Sequence, residues 1–186
     1  MTATILYHVP VETEMGAVAL LAKEVFDEFV APFYSLEGRA EFYRYAAAEA
    51  LQERNRRDHA TLITESGGRI VAMLHLRQWQ HVAMLFVDRA HQRAGIARAL
   101  LRAALGLLHQ HAASSCRLTV SSSPNAVAAY RRLGFSPVGP EQVIRGIRFL
   151  PMELEMTKNF AEPSAAPNGG PATRLGGSKA TEGPPW

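Results

Sequence analysis

Two short stretches hold residue types at spacings that could do chemistry. The first is "FVDRAHQRAGIARALL", Phe86 to Leu101, where Gln92, Arg93, Ala94, Gly95, Ile96, Ala97 and Arg98 stand between an apolar run and an amphipathic helix. Glycine weakens a helix by about 1 kcal/mol relative to Ala, so Gly95 calls for a reason. The first backbone N–H groups of a helix lack intrahelical acceptors, and the helix dipole adds partial positive charge there. A glycine in the entering loop lets an anion approach that backbone, which suits a phosphate or pyrophosphate. Close packing of the helix on a sheet would equally favour glycine, and the local pattern leaves both readings open. The sequence has no G-x-x-x-x-G-K-[ST], and no G-x-G-x-x-G with an acidic residue about 20 positions on, so those two phosphate fingerprints are excluded.

The second stretch is "SSSPNAVAAYRRLGF", Ser121 to Phe135. It reads as a compact helix that Ser123 can cap, Pro124 can start and Gly134 can end. Tyr130 within it is either a proton donor or an amphipathic ring that packs the helix on a sheet. The lone Cys116 reads as a packed thiol rather than an acyl-carrying nucleophile.

Alternating patterns supply the elements that must position these residues. "TILYHV" is a short opening strand, and Met15 to Phe29 carries Val18, Leu21, Ala22, Val25, Phe26 and Phe29 at helical period. Arg39 to Asn55 reads as a second helix with a charged, solvated exit, "QERNRR". "HATLITE" and "IVAMLHLRQ" form a hairpin about Gly67-Gly68. "HVAMLFVD" is apolar almost throughout, as expected of a strand covered on both faces. A helix from Ile96 to about His111, the strand "CRLTVSS", the Tyr130 helix and the strands "FSPVG" and "IRFLPMELEM" follow. Glu153 and Glu155 alternate with Met152 and Leu154 and read as the outer face of the last strand. The order is that of an α/β domain around one mixed sheet.

The 186 residues, 47% hydrophobic and 20% charged, suit one soluble domain. A net charge of +3 without Lys/Arg blocks argues against a nucleic-acid partner. One cysteine, no visible signal peptide and no apolar run of about 20 residues point to a cytoplasmic, non-membrane protein. The segment 161–186 holds five prolines and five glycines and reads as a disordered tail behind a domain of residues 1–160.

Taken together, the two stretches resemble the GNAT superfamily of acyl-CoA N-acyltransferases. Gln92, Gly95 and Ala97 match motif A, Q/R-x-x-G-x-G/A after the fourth strand. Ser123, Ala126, Tyr130, Gly134 and Phe135 match motif B, and "GIRFLPMELEM" resembles the closing strand of a bacterial subgroup. The likeness runs from Thr2 to Met156. It implies a mixed, mostly antiparallel central sheet of about seven strands with about four helices. It also implies acetyl-CoA as co-substrate, no metal, and a pyrophosphate on the backbone from Arg93 to Arg98. The acyl-pantetheine would lie between splayed fourth and fifth strands against the backbone of Phe86 and Val87, with Ser123 and Asn125 beside the coenzyme. Two positions depart from the common form: Ala97 replaces a second glycine, and Arg93 stands where glycine is frequent.

The implied reaction is direct attack by a primary amine on the thioester in a ternary complex. Tyr130 matches the family's tyrosine donor. Full proton transfer from an ordinary tyrosine to a thiolate is uphill by about 1.5 pKa units, so Tyr130 is expected to stabilise developing charge by hydrogen bonding. For the base, His81 lies near a family carboxylate position, with His75 and an ordered water as alternatives. The acceptor, a small-molecule or peptide amine, is not specified by any motif, although Phe33, Tyr34 and Phe42 could line an aromatic pocket. A coenzyme-binding sensor without turnover is the second reading, and the protomer could act as a monomer or homodimer.

Overall fold

The computed structural model describes residues 5–111 and 117–155. Cys116 and the segment 161–186 lie outside the described residues. Eight strands form the sheet: β1 (Ile5–His8), β2 (His59–Ser66), β3 (Arg69–Arg77), β4 (His81–Val87), β5 (Arg117–Ser122), β6 (Ser136–Pro137), β7 (Gln142–Ile144) and β8 (Ile147–Glu155). Their spatial order is β1-β2-β3-β4-β5-β8-β6, with β7 also on β8. Only β4 and β5 run parallel; the other pairs are antiparallel. Five α-helices cover it: α1 (Met15–Phe29), α2 (Leu36–Ala46), α3 (Ala48–Asn55), α4 (Ile96–His111) and α5 (Val127–Arg132). The mixed, mostly antiparallel architecture expected from the sequence is the one found.

Both faces of the central strands are covered, which is why β3 is apolar almost throughout from Ile70 to Leu76. On one face Leu62, Leu74, Leu76 and Val82 pack under Ile96, Leu100, Leu101 and Leu105 of α4. On the other, Ile63, Met73 and Met84 pack under Val18, Ala22 and Phe26 of α1 with Phe42 of α2. Gly67 and Gly68, at φ +59° and +76°, make the left-handed turn that joins β2 to β3.

The single helix expected from Arg39 to Asn55 is two helices, broken at Ala47, whose φ −60° and ψ 144° are extended. No proline or glycine marks the break. Its physical reason is the apolar spacing: Phe42 and Leu51, nine residues apart, would sit half a turn from each other on one helix. Both are buried, at 3% and 0% exposure, and only a change of axis between them permits that. The β7–β8 hairpin was also not evident, because Gln142, Val143 and Ile144 are all exposed and carry no alternation. Its turn docks on the start of α2. Ser35 N–H donates to the Gly146 carbonyl at 3.0 Å, and a Cβ on Gly146 would fall 1.9 Å from Ser35 Oγ.

The "QERNRR" exit is only partly solvated. Arg56 pairs with Glu12 and Arg57 with Glu53, whereas Arg54 turns inward and lays its guanidinium 3.7 Å from the Tyr45 ring centre. It borders a buried polar cluster. His75 is fully buried with Nδ1 2.9 Å from Thr61 Oγ1, and its ring lies 5.2 Å from that of His59, itself 2.7 Å from Asp58. Burial holds His75 well below the ordinary histidine range, and it lowers His59 despite the pull of Asp58.

His75 is therefore neutral in the fold but takes up a proton in the unfolded chain below about pH 6.5, and His59 acts in the same direction. Stability is then full above that pH and is lost as pH falls, by up to about 1.4 kcal/mol per pH unit from His75. Denaturant midpoints measured from pH 7 to 5 should fall accordingly, and His75→Gln should flatten the slope by about one proton. An unchanged slope in the variant would remove His75 from the linkage.

Candidate active site

The site begins where β4 and β5 part. Their pairing is confined to His81↔Thr119 and Val82↔Val120. The β3–β4 register shifts between His75 and Leu76, so an extra residue bulges in β4 at Ala83, and bulges re-aim a strand beside functional sites. Past that point β4 keeps β3 as its neighbour through Val87 but leaves β5. A cavity of about 850 Å³ occupies the opening. It is lined by β4 from Ala83 to Val87, the loop into α4, the start of β5's exit with Ser123 and Asn125, α5, and the inner faces of α1 and α2. The apolar run of β4 is thus only alternately buried, since one flank of the strand faces the cavity.

At one end stands the loop before α4. Asp88 caps its first turn by accepting from Ala90 N–H at 2.7 Å, and Gln92 Nε2 donates to the Val87 carbonyl at 3.1 Å, tying loop to strand. Arg93 and Gly95 are both left-handed, at φ +64° and +82°. Alternating left-handed residues turn successive N–H groups into an anion-binding concavity. The Gly95 carbonyl accepts the first α4 bond, from Ala99 N–H at 3.0 Å, so helix geometry leaves the N–H groups just inside it without helical acceptors. A Cβ built on Gly95 meets nothing within 4 Å. The packing reading of Gly95 therefore fails; its left-handed backbone is what requires glycine. Arg93, Arg98 and Arg132 line this end, with Arg98 Nη2 held on the Arg132 carbonyl at 3.0 Å, and among the described residues no carboxylate lines the cavity. The chemistry suits a polyanion that carries a long amide-bearing arm, as in an acyl-CoA.

Tyr130 lies midway. Gly134, at φ +100°, turns the chain so that Phe135 N–H bonds the Tyr130 carbonyl at 3.0 Å, and the Phe135 ring packs edge-on at 5.4 Å. The Tyr-x-x-x-Gly-Phe spacing thus fixes the ring. Burial pushes the Tyr130 phenol far above the ordinary tyrosine range, and nearby Tyr34 adds to the shift. Ser123 does not cap its helix through its side chain as expected; its carbonyl accepts instead from Ala126 N–H, and the side chain lines the cavity.

The other end is aromatic. Phe26 and Phe42 stack at 3.7 Å between ring centres, Tyr34 meets Phe26 edge-on at 5.4 Å, and Phe86 meets Phe42 at 5.9 Å. Of the aromatic trio expected there, Tyr34 and Phe42 line the cavity, but Phe33 is 42% exposed outside it. Phe26 and Phe29 were legible only as a core-facing helix stripe, because periodicity cannot tell a packed neighbour from a cavity. Phe86, Val87, Gln92, Arg93, Gly95, Ile96, Ala97, Arg98, Ser123, Asn125 and Tyr130 all line the cavity, whereas Ala94 and His81 do not. His81 sits at the closed root of the β4–β5 fork with Nδ1 2.7 Å from Thr119 Oγ1, and His75 is enclosed in its own cluster. The structure brings neither to the cavity.

An open α/β sheet splayed at one parallel pair, with a glycine-bearing loop at the mouth of the fork, is the arrangement of acyl-CoA-dependent acyltransferase folds. Residues 30–156 match the family model for the acetyltransferase (GNAT) domain, and the chain belongs to that family, which transfers acyl groups from acyl-CoA. It is similar in fold to a GCN5-related N-acetyltransferase from Rhodopseudomonas palustris, with a TM-score of 0.69 at 19% identity over 84% of this chain and 98% of that one. The PaiA N-acetyltransferase from Thermoplasma acidophilum, solved with coenzyme A, has a TM-score of 0.66 at 19% identity over 82% and 99%. A ribosomal-protein-alanine N-acetyltransferase from Brucella melitensis has 0.59 at 18% over 81% and 99%. No curated protein is significantly similar in sequence. Among the described residues no helix is long and apolar enough to cross a membrane.

Proposed function

We propose that this chain is an N-acetyltransferase that moves an acetyl group from acetyl-CoA to an amine by direct attack in a ternary complex. The observation that carries the reading is the single cavity that joins the loop at Gly95, the unpaired flank of β4 and the hydroxyl-bearing Tyr130 ring. The loop N–H groups with Arg93, Arg98 and Arg132 hold the pyrophosphate and its neighbours. The β4 backbone at Phe86 and Val87, beyond its last β5 partner, guides the pantetheine arm, with Ser123 and Asn125 beside it.

The neutral amine adds to the thioester carbonyl, the C–S bond breaks, and coenzyme A leaves as its thiolate. Tyr130 O–H donates a hydrogen bond to that sulfur as charge develops. Its elevated pKa makes outright transfer of the phenol proton costlier than for an ordinary tyrosine, so the proton shed by the amine nitrogen is the one the thiolate finally gains, through water. His81, at the closed root of the fork, has no part in that route.

Tyr130 favours turnover over the sensor reading, since a protein that only binds coenzyme needs no donor at the sulfur. Free-thiol release should appear when protein, acetyl-CoA and a panel of amines are mixed. Binding of acetyl-CoA without thiol release across the panel would transfer the assignment to a sensor.

A further inference from the structure

The titratable side chains lining the cavity are Tyr34, Tyr130, His91, Arg93, Arg98 and Arg132. The last four belong to the phosphate loop or touch it, and Asp88, the nearest acid to His91, is engaged in capping that loop. The aromatic part of the lining is Phe26, Phe29, Val30, Tyr34, Phe42 and Phe86, and among the described residues no carboxylate lines the cavity to pair an ammonium and no base stands in this part of it. An unpaired buried cation is strongly disfavoured. Aromatic faces can substitute for a carboxylate through cation–π attraction. Here, however, Phe26 and Phe42 are stacked face to face and buried, at 0% and 3% exposure, so neither presents an open face to a ligand cation.

From this arrangement, and resting on the N-acetyltransferase reading above, we infer that the acceptor is a weakly basic amine, neutral at pH 7, carried on an aromatic body. Such a nitrogen arrives without a proton to lose before attack, which fits an aromatic wall whose described residues include no base; the cavity's one imidazole, His91, belongs to the loop before α4. Its apolar body fills the aromatic end, and the phenols of Tyr34 and Tyr130 are the polar groups nearest to it. A polyamine or amino-sugar acceptor would bring charges that nothing at this end answers.

The test compares 4-methylaniline, neutral at pH 7, with 4-methylbenzylamine, cationic and of similar shape. Titration calorimetry of the full chain saturated with coenzyme A should show the aniline binding at least about 10-fold more tightly, a modest fraction of the cost of an unpaired buried charge. Thiol release from acetyl-CoA should follow the same order in kcat/KM. Introducing a carboxylate by Phe29→Glu should narrow or reverse the binding ratio. If that variant does not fold, the wild-type ratio alone decides. Equal or tighter binding of the benzylamine overturns the inference, as does a higher kcat/KM with octanoyl-CoA than with acetyl-CoA, which would give the aromatic end to a long acyl chain. If no amine releases thiol, the acetyltransferase reading falls, while the order of binding still decides the ligand class.

Discussion

Replacing Gly95 with valine should weaken acetyl-CoA binding by at least about 100-fold while lowering the melting temperature by only a few degrees. The two effects separate because Gly95 holds its conformation rather than a contact. A Cβ there meets nothing within 4 Å, so the core under Ile96, Leu100 and Leu101 is not crowded by the new side chain. The backbone is another matter: φ +82° is a region that a β-branched residue avoids. The loop must therefore leave its left-handed course, at a local cost of about 1–2 kcal/mol. That movement carries away the N–H groups at the start of α4. Losing two charge-assisted hydrogen bonds, each about 1.5–3 kcal/mol, accounts for at least the expected hundredfold. Calorimetric titration beside a thermal melt checks both halves. Normal affinity in Gly95→Val would mean that the loop does not hold the coenzyme, and a collapse in melting temperature would restore a packing role.

The elements were legible where one physical signal dominated. Helix α1 follows its apolar period from Met15 to Phe29, and the β2–β3 turn follows Gly67-Gly68, since both are dictated locally. The break at Ala47 was not legible, because it is imposed by the need to bury Phe42 and Leu51 in one core, a condition no window of sequence expresses. The loop before α4 was marked by Gly95, but the local pattern left packing and anion binding both open, since the left-handed φ of +82° that separates them is not written in the sequence. The aromatic end was not legible, since Phe26 looks the same in a helix stripe whether it faces a strand or a cavity. His81 shows the converse error. Its distance along β4 suggested a base, yet the fork closes at His81↔Thr119, and which end of a parallel pair opens is decided by the Ala83 bulge. Helix end Gln52–Arg57 likewise read as uniformly solvated, while Arg54 found Tyr45 nine residues back.

Tyr130→Phe should lower kcat by about 10²-fold or more, with the affinity for acetyl-CoA nearly unchanged. The substitution removes one oxygen and keeps the ring that packs edge-on against Phe135, so the fold and the coenzyme groove persist. In the proposed reaction the group lost is a donor aimed at charge that exists only as the C–S bond breaks, and such losses appear in kcat rather than in binding. The pH profile gives a second, independent reading. Burial raises the Tyr130 phenol above its ordinary value near 10, which means the neutral, donating form is favoured. An ordinary tyrosine would be half ionised at about pH 10 and would cease to donate there. Tyr130 should keep its proton, so the wild-type rate should show no alkaline fall from this group through about pH 10. An alkaline limb in the wild type that vanishes in Tyr130→Phe would mean that the phenol ionises normally and is less enclosed than its surroundings require. An unchanged kcat in the variant would remove Tyr130 from the reaction altogether and leave its ring the packing role that Phe135 already suggests.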